Sequence, residues 1–361
     1  MADTDQDSPV YDALEGLEPP HRQRLFFGHT ADEQRFLASW QSGKLHHAWL
    51  LTGPKGIGKA TFAYRAARFI FNEGAAQLSG GGLLGASAAP TSLDSPDDSH
   101  AVHLVSNLAH PNLLVIDRPY DDKLKRFKTE ITVDEVRKTV RFFGSTAGER
   151  TWRVCIVDPA DDLNNNAANA LLKILEEPPA RTIFFLVSHA PGRLLPTIRS
   201  RCRRLNFSPL ESPVLDKAIA GLGIAEGDTI PQLVQSCDGS LRKAAELQSD
   251  EGLVLIHAFD RLLTPPYTPD YESLNAFAET VALRGKDQRF DGFADLVHRF
   301  LSRQLHTNSR RDGIRGEDLF PLARVWDDAR DKIQETRVFN LDKKQTVIEV
   351  MRMVAKAARG E

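Results

Sequence analysis

The sequence predicts an α/β domain with a parallel sheet, followed by a small helical unit and an all-helical third domain. Three observations carry that expectation. Short apolar runs alternate with helical patterns over about the first 208 residues, a glycine-rich loop joins the first such run to a helix, and strand signals fade after Ser208. A chain of 361 residues also calls for two or three domains.

The elements follow in order. The run Ala48–Leu51 (AWLL) enters the glycine loop, and GKATFAYRAARFIF after it has helical character, which is the order that a phosphate-binding loop requires. The runs Leu113–Asp117, Trp152–Asp158, Thr182–Ser188 and Arg203–Phe207 are apolar, β-branched or aromatic, and several read as buried parallel strands. Between them, Val133, Val136, Val140 and Phe143 recur at helical spacing up to Gly144. A second stripe, Ala167, Leu171, Ile174 and Leu175, ends at Pro178 and Pro179.

One interval breaks the rhythm. Residues 73–100 are rich in Gly, Ala and Ser with few large apolar side chains, so a flexible insertion without a packed core is expected there, with a functional lid as the alternative. Residues 209–250 form the small helical unit. Residues 251–361 give a succession of amphipathic helices, in one of which Leu322, Trp326, Ala329 and Ile333 share a face.

With 41% hydrophobic and 26% charged residues, the chain reads as soluble and globular. Its 46 basic and 49 acidic side chains leave a net charge of -3, so any contact with nucleic acid is local or shared with partners. The first residues lack the pattern of a secretory signal and no stretch is long and apolar enough for a bilayer, so a cytoplasmic location away from membranes is expected. Cys155, Cys202 and Cys237 form no C-x-x-C pair, which argues for buried thiols over a metal site or disulfides.

The loop TGPKGIGKAT (Thr52–Thr61) carries the sharpest chemistry. Gly53, Gly56 and Gly58 allow a backbone path that turns N–H groups onto an anion at a helix start, and Lys59 would reach the phosphates. Ala60 stands where a hydroxyl should hold Mg²⁺, and Thr61 is one helical step too late, a turn of about 100°. Asp158 ends a strand as a plausible metal partner, but Pro159 follows where a water-activating acid would be useful. Asp161 and Asp162 are read as residues of the next helix start. A tight turn that binds nothing is the alternative reading of the loop.

Three stretches, LHHAWLLTGPKGIGKAT, NNNAANALLKILEEPPARTIFFLVSHAPGRLLPTIRSRC and DGSLRKAAEL, together resemble the bacterial clamp-loader subunits of the AAA+ superfamily, and within them the delta-prime family. The likeness is dense from about His46 to Leu247 and thinner in the helical C-terminus. It implies a RecA-like AAA+ core (1–208), a helical lid (209–250) and a helical collar (251–361). Ser200, Arg201 and Cys202 match the family's SRC motif, which implies that Arg201 is an arginine finger acting in trans on ATP of a neighbouring subunit. Arg242 matches sensor 2 and Ser188 sensor 1. His46 and His47 are read as packing residues.

The same resemblance implies a stator without polymerase activity in a hetero-pentamer with other clamp-loader subunits, acting with a sliding clamp and primer-template DNA in replication. Many members carry a four-cysteine zinc module after the first helix; no cysteine lies within residues 73–100 here, so zinc is not expected. Family loops are often too altered for ATP, whereas this one keeps Gly53, Gly58 and Lys59, which leaves ATP as an open cofactor. An autonomous P-loop ATPase, such as a motor subunit, is the leading alternative, and a small-molecule P-loop kinase a third.

Overall fold

The computed structural model describes residues 10–14, 16–78, 89–144, 151–249, 252–283, 285, 287–309 and 320–360. Its first unit spans residues 1–245. Regular structure there begins with α1 (Thr30–Gln41), β1 (Ala48–Thr52), α2 (Lys59–Leu78) and α3 (His100–Ser106). It continues with β2 (Leu113–Ile116), the short strands β3 (Tyr120–Asp121) and β4 (Arg126–Phe127), α4 (Val133–Gly144) and β5 (Arg153–Val157). After these come α5 (Asn165–Glu176), β6 (Thr182–Ser188), α6 (Pro196–Arg201) and β7 (Arg203–Asn206).

The main sheet is parallel, with order β2-β5-β6-β1-β7. All residues of β1, β5 and β6 are buried, because helices cover both faces. Alternation along each strand divides the core. Trp49, Leu51, Val154, Ile156, Phe185 and Val187 pack with Phe36 and Phe62 of α1 and α2. Ala48, Leu50, Cys155, Val157, Phe184 and Leu186 pack on the other side with Val136, Leu171 and Ile198. A one-residue shift of any strand would exchange these faces, so the register is tightly specified.

Two expectations need correction. Glu73–Leu78 continue α2, and Leu93 is buried in the core while its N–H donates to the Glu33 carboxylate at 2.9 Å. The ends of the interval 73–100 are therefore built into the domain; residues 79–88 lie outside the described residues. In α4, Val136 is buried but Val140 is 63% exposed. The fully buried position on that face belongs to Thr139, whose hydroxyl is satisfied by the Val136 carbonyl at 2.5 Å.

The same unit contains α7 (Ser212–Gly221), α8 (Thr229–Ser236) and the start of α9 (Leu241–Ser249), with Leu215, Ala218, Ile219, Leu233 and Ala244 buried. The second unit, residues 246–361, holds α10 (Gly252–Leu262), α11 (Tyr271–Val281), α12 (Asp287–Ser309), α13 (Phe320–Phe339) and α14 (Lys343–Ala358). Its separate core centres on Phe259, Phe277, Phe293, Met351 and Val354. Leu322, Ala329 and Ile333 are buried there with Trp326 partly covered, as their spacing predicts. Among the described residues, no helix is long and apolar enough to cross a membrane.

Candidate nucleotide site

The parallel register places the C-terminal strand ends in one row, with Thr52 of β1 beside Ser188 of β6. Ligands of open α/β sheets bind beyond such ends. The chain leaves β1 through the loop at Gly53–Gly58 and enters α2 at Lys59. Gly53 has φ 141° and Gly56 φ 79°. A Cβ at Gly53 would lie 2.2 Å from the Phe207 carbonyl oxygen, and one at Gly56 would lie 2.4 Å from both Arg242 Cβ and Ser240 Oγ. These positions accept only glycine, both for backbone conformation and for the closeness of β7 and α9. His29 holds the far side, its Nε2–H donating to the Ile57 carbonyl at 2.8 Å.

Lys59 is buried and its ammonium donates to the Gly53 carbonyl at 2.7 Å and to that of Pro54. Burial lowers it to about 8, against the attraction of Asp158 and Asp161. Asp158 follows β5 and faces the same cleft; burial pushes its carboxyl up to about 7, with Asp12 adding to the rise and Lys59 opposing it. Asp117, after β2, is raised to about 6, chiefly by burial.

Ser188 is wholly buried and its hydroxyl donates to Asp161 at 2.6 Å. Asp161 also accepts the N–H groups of His189 at 2.5 Å and Ala190 at 3.2 Å. Asp162 pairs with Arg118 at 2.6 Å. Neither aspartate caps α5, contrary to expectation: Asn164 does so, accepting from the Ala167 N–H at 2.9 Å. The carboxylates are consumed by longer-range partners before the helix begins.

Arg242 arrives on α9, whose start clasps the loop: its N–H donates to the Gly56 carbonyl at 3.3 Å, and Ser240 Oγ donates to the Lys55 carbonyl at 3.1 Å. Gly56, Gly58, Lys59, Ala60, Thr61, Asp158 and Arg242 thus line one cleft of about 320 Å³. Gly53 shapes the loop from behind, and Ser188 acts on the cleft through Asp161 and His189. Arg201 stands outside, at the end of α6, where its guanidinium pairs with Glu176 at 2.6 Å.

Sequence reasoning missed Tyr11, Asp12, Arg118 and His189, which also line the cleft. His189 follows a strand that was already singled out and was within reach; the other three have no motif spacing. Cys155 and Cys237 are buried free thiols, and His46 stacks on His47 at 4.5 Å, in keeping with packing roles.

The residues fit a polyphosphate: Lys55, Lys59 and Arg242 line one cleft at the start of α2. They fit a bound Mg²⁺ poorly, since Ala60 offers no oxygen where the loop hydroxyl would stand.

A family model described as DNA polymerase III, delta subunit, matches residues 28–211, just over half of the chain. The chain belongs to this family. The matched span runs from the residue before the α1 cap to the residue before α7, and so covers the sheet and its glycine loop. DNA polymerase III subunit delta' of Pseudomonas aeruginosa is 39% identical over 156 residues, 43% of this chain and 41% of that one. The Escherichia coli delta' subunit is 32% identical over 178 residues, 49% of this chain and 47% of its own. Subunit tau of Bacillus subtilis is 28% identical over 244 residues, 66% of this chain and 39% of its own. The chain spans less than half the length of each of these relatives.

Proposed function

We propose that the chain is a delta-prime-like subunit of a clamp loader, a stator that supplies an arginine finger in trans and helps to load a sliding clamp during DNA replication in the cytoplasm. The observation that carries this reading is the station of Arg201. It sits at the C-terminal end of a short helix, away from its own cleft, with about a third of its side chain exposed. An arginine so placed can meet a phosphate on a neighbouring subunit but not one in its own loop. Its partners are the other subunits of a hetero-pentamer, the clamp, and primer-template DNA reached through the assembly.

A finger stabilises charge that develops on the transferred phosphoryl group, and related NTPases lose roughly 10³ to 10⁵ in rate without it. In a reconstituted loader, Arg201→Ala is expected to cut DNA-stimulated ATP turnover by the share of the one site that Arg201 faces. Unchanged turnover would overturn the finger role.

The chain's own cleft supports a second, compatible reading: it binds ATP without hydrolysing it. Gly56, Gly58 and Lys59 hold the phosphates, and Arg242 closes over them from α9. Ala60 and Pro159 remove the metal hydroxyl and the water-activating acid. ATP hydrolysis by the isolated chain would favour an autonomous ATPase instead.

A further inference from the structure

The cations at the mouth of the cleft already hold an anion, and it belongs to the chain itself. Asp12 lies in the left-handed region at φ 60°. Its carboxylate accepts from Lys55 Nζ at 3.0 and 2.9 Å on its two oxygens, and from the Arg242 guanidinium at 2.9 Å. A second N–H of Arg242 donates to the Asp12 carbonyl at 2.7 Å. One short side chain thereby bridges the glycine loop and α9, where a nucleotide phosphate would do the same.

The neighbouring residue anchors the segment. The Tyr11 ring packs edge-on against Phe127 of β4 at 5.3 Å, and Arg118 lies over its face at 5.4 Å. Val10, Tyr11, Asp12, Ala13 and Leu14 form part of the cleft wall. With that wall in place the cleft measures about 320 Å³, at the lower limit of small-molecule sites.

We infer that the Tyr11–Asp12 segment is an internal competitor of nucleoside polyphosphates: Asp12 occupies the phosphate-binding cations, and a nucleotide enters fully only when the segment swings out. A site open for only part of the time has its apparent affinity reduced by the open fraction. The gate rests on the nucleotide reading of the cleft and is independent of Arg201.

The test is equilibrium titration of the full chain with a fluorescent ATP analogue, comparing the parent with Asp12→Asn and Tyr11→Ala, each also combined with Lys59→Ala. Asp12→Asn keeps the shape and removes the charge; Tyr11→Ala frees the anchor and leaves Lys55, Lys59 and Arg242 in place. Both are expected to bind about tenfold more tightly than the parent, as for a competitor that holds the site about nine-tenths closed, and Lys59→Ala is expected to abolish the gain. Inorganic tripolyphosphate should displace the analogue more readily from Asp12→Asn than from the parent. Equal affinities in the parent and both variants overturn the gate while leaving the cleft a nucleotide site. No saturable binding by any of them at about millimolar analogue overturns the gate together with the cleft reading.

Discussion

The Arg201 guanidinium meets the Glu176 carboxylate at 2.6 Å, and another of its N–H groups donates to the Thr197 carbonyl at 3.0 Å. Both side chains are partly exposed, at 35% and 49%. Such pairs contribute about 0–1 kcal/mol. Arg201→Ala is therefore expected to leave urea unfolding of the isolated chain within about 1 kcal/mol of the parent. A larger loss would make Arg201 a structural residue and would spoil its use as a clean probe of turnover.

Asp161 presents the opposite case. It satisfies a buried hydroxyl and two N–H groups at the end of β6, and an unsatisfied buried polar group costs about 1–3 kcal/mol. Asp161→Ala is expected to lower stability by about 3 kcal/mol, with Ser188→Ala lowering it by about 1 kcal/mol. Equilibrium denaturation that shows both substitutions to be equally mild would refute the hub.

Asp158 predicts a pH effect. Its folded-state value of about 7 lies above the ordinary 3.8, so the folded chain holds the extra proton between those limits and the group's contribution falls as pH rises from 3.8 through 7. Asp158→Asn should be close to neutral near about pH 3.5, and should stabilise the chain by on the order of 4 kcal/mol near about pH 8. Thermal melts at the two pH values give the answer, and a gain confined to the acid side would reverse the sign.

Lys59 predicts another. Burial lowers its ammonium from 10.5 to about 8, so free protein loses this charge in mildly alkaline solution. A polyphosphate favours the charged form, and its binding then requires proton uptake above about pH 8. Affinity for the ATP analogue is expected to fall as pH rises from about 7 to about 9.5, and Lys59→Arg, charged throughout, should flatten the profile. An affinity that rises over that range would exclude Lys59 as a phosphate ligand.

Much of the order of strands and helices was legible because its signals are local. The apolar runs of β1, β5 and β6 have no choice but burial, and the Pro178–Pro179 pair ends α5 whatever surrounds it. Local signals failed where neighbours decide. Val140 has the right spacing for the core, yet Thr139 takes the interior place by satisfying its hydroxyl within the helix. Leu93 sits in a stretch too poor in apolar residues to suggest a core, but needs only the Glu33 carboxylate and an existing core to be held.

The sequence by itself determined the path of the glycine loop, since glycines at Gly53 and Gly56 permit a backbone conformation that other residues resist, and it placed at Ala60 a side chain with no oxygen. Only the tertiary structure decided which charges meet. Asp12 and Arg242 are far apart along the chain, and no spacing rule links them; folding brings α9 onto the glycine loop and sets the aspartate between two cations. Coulombic partners are chosen by distance in space, which local propensity does not encode.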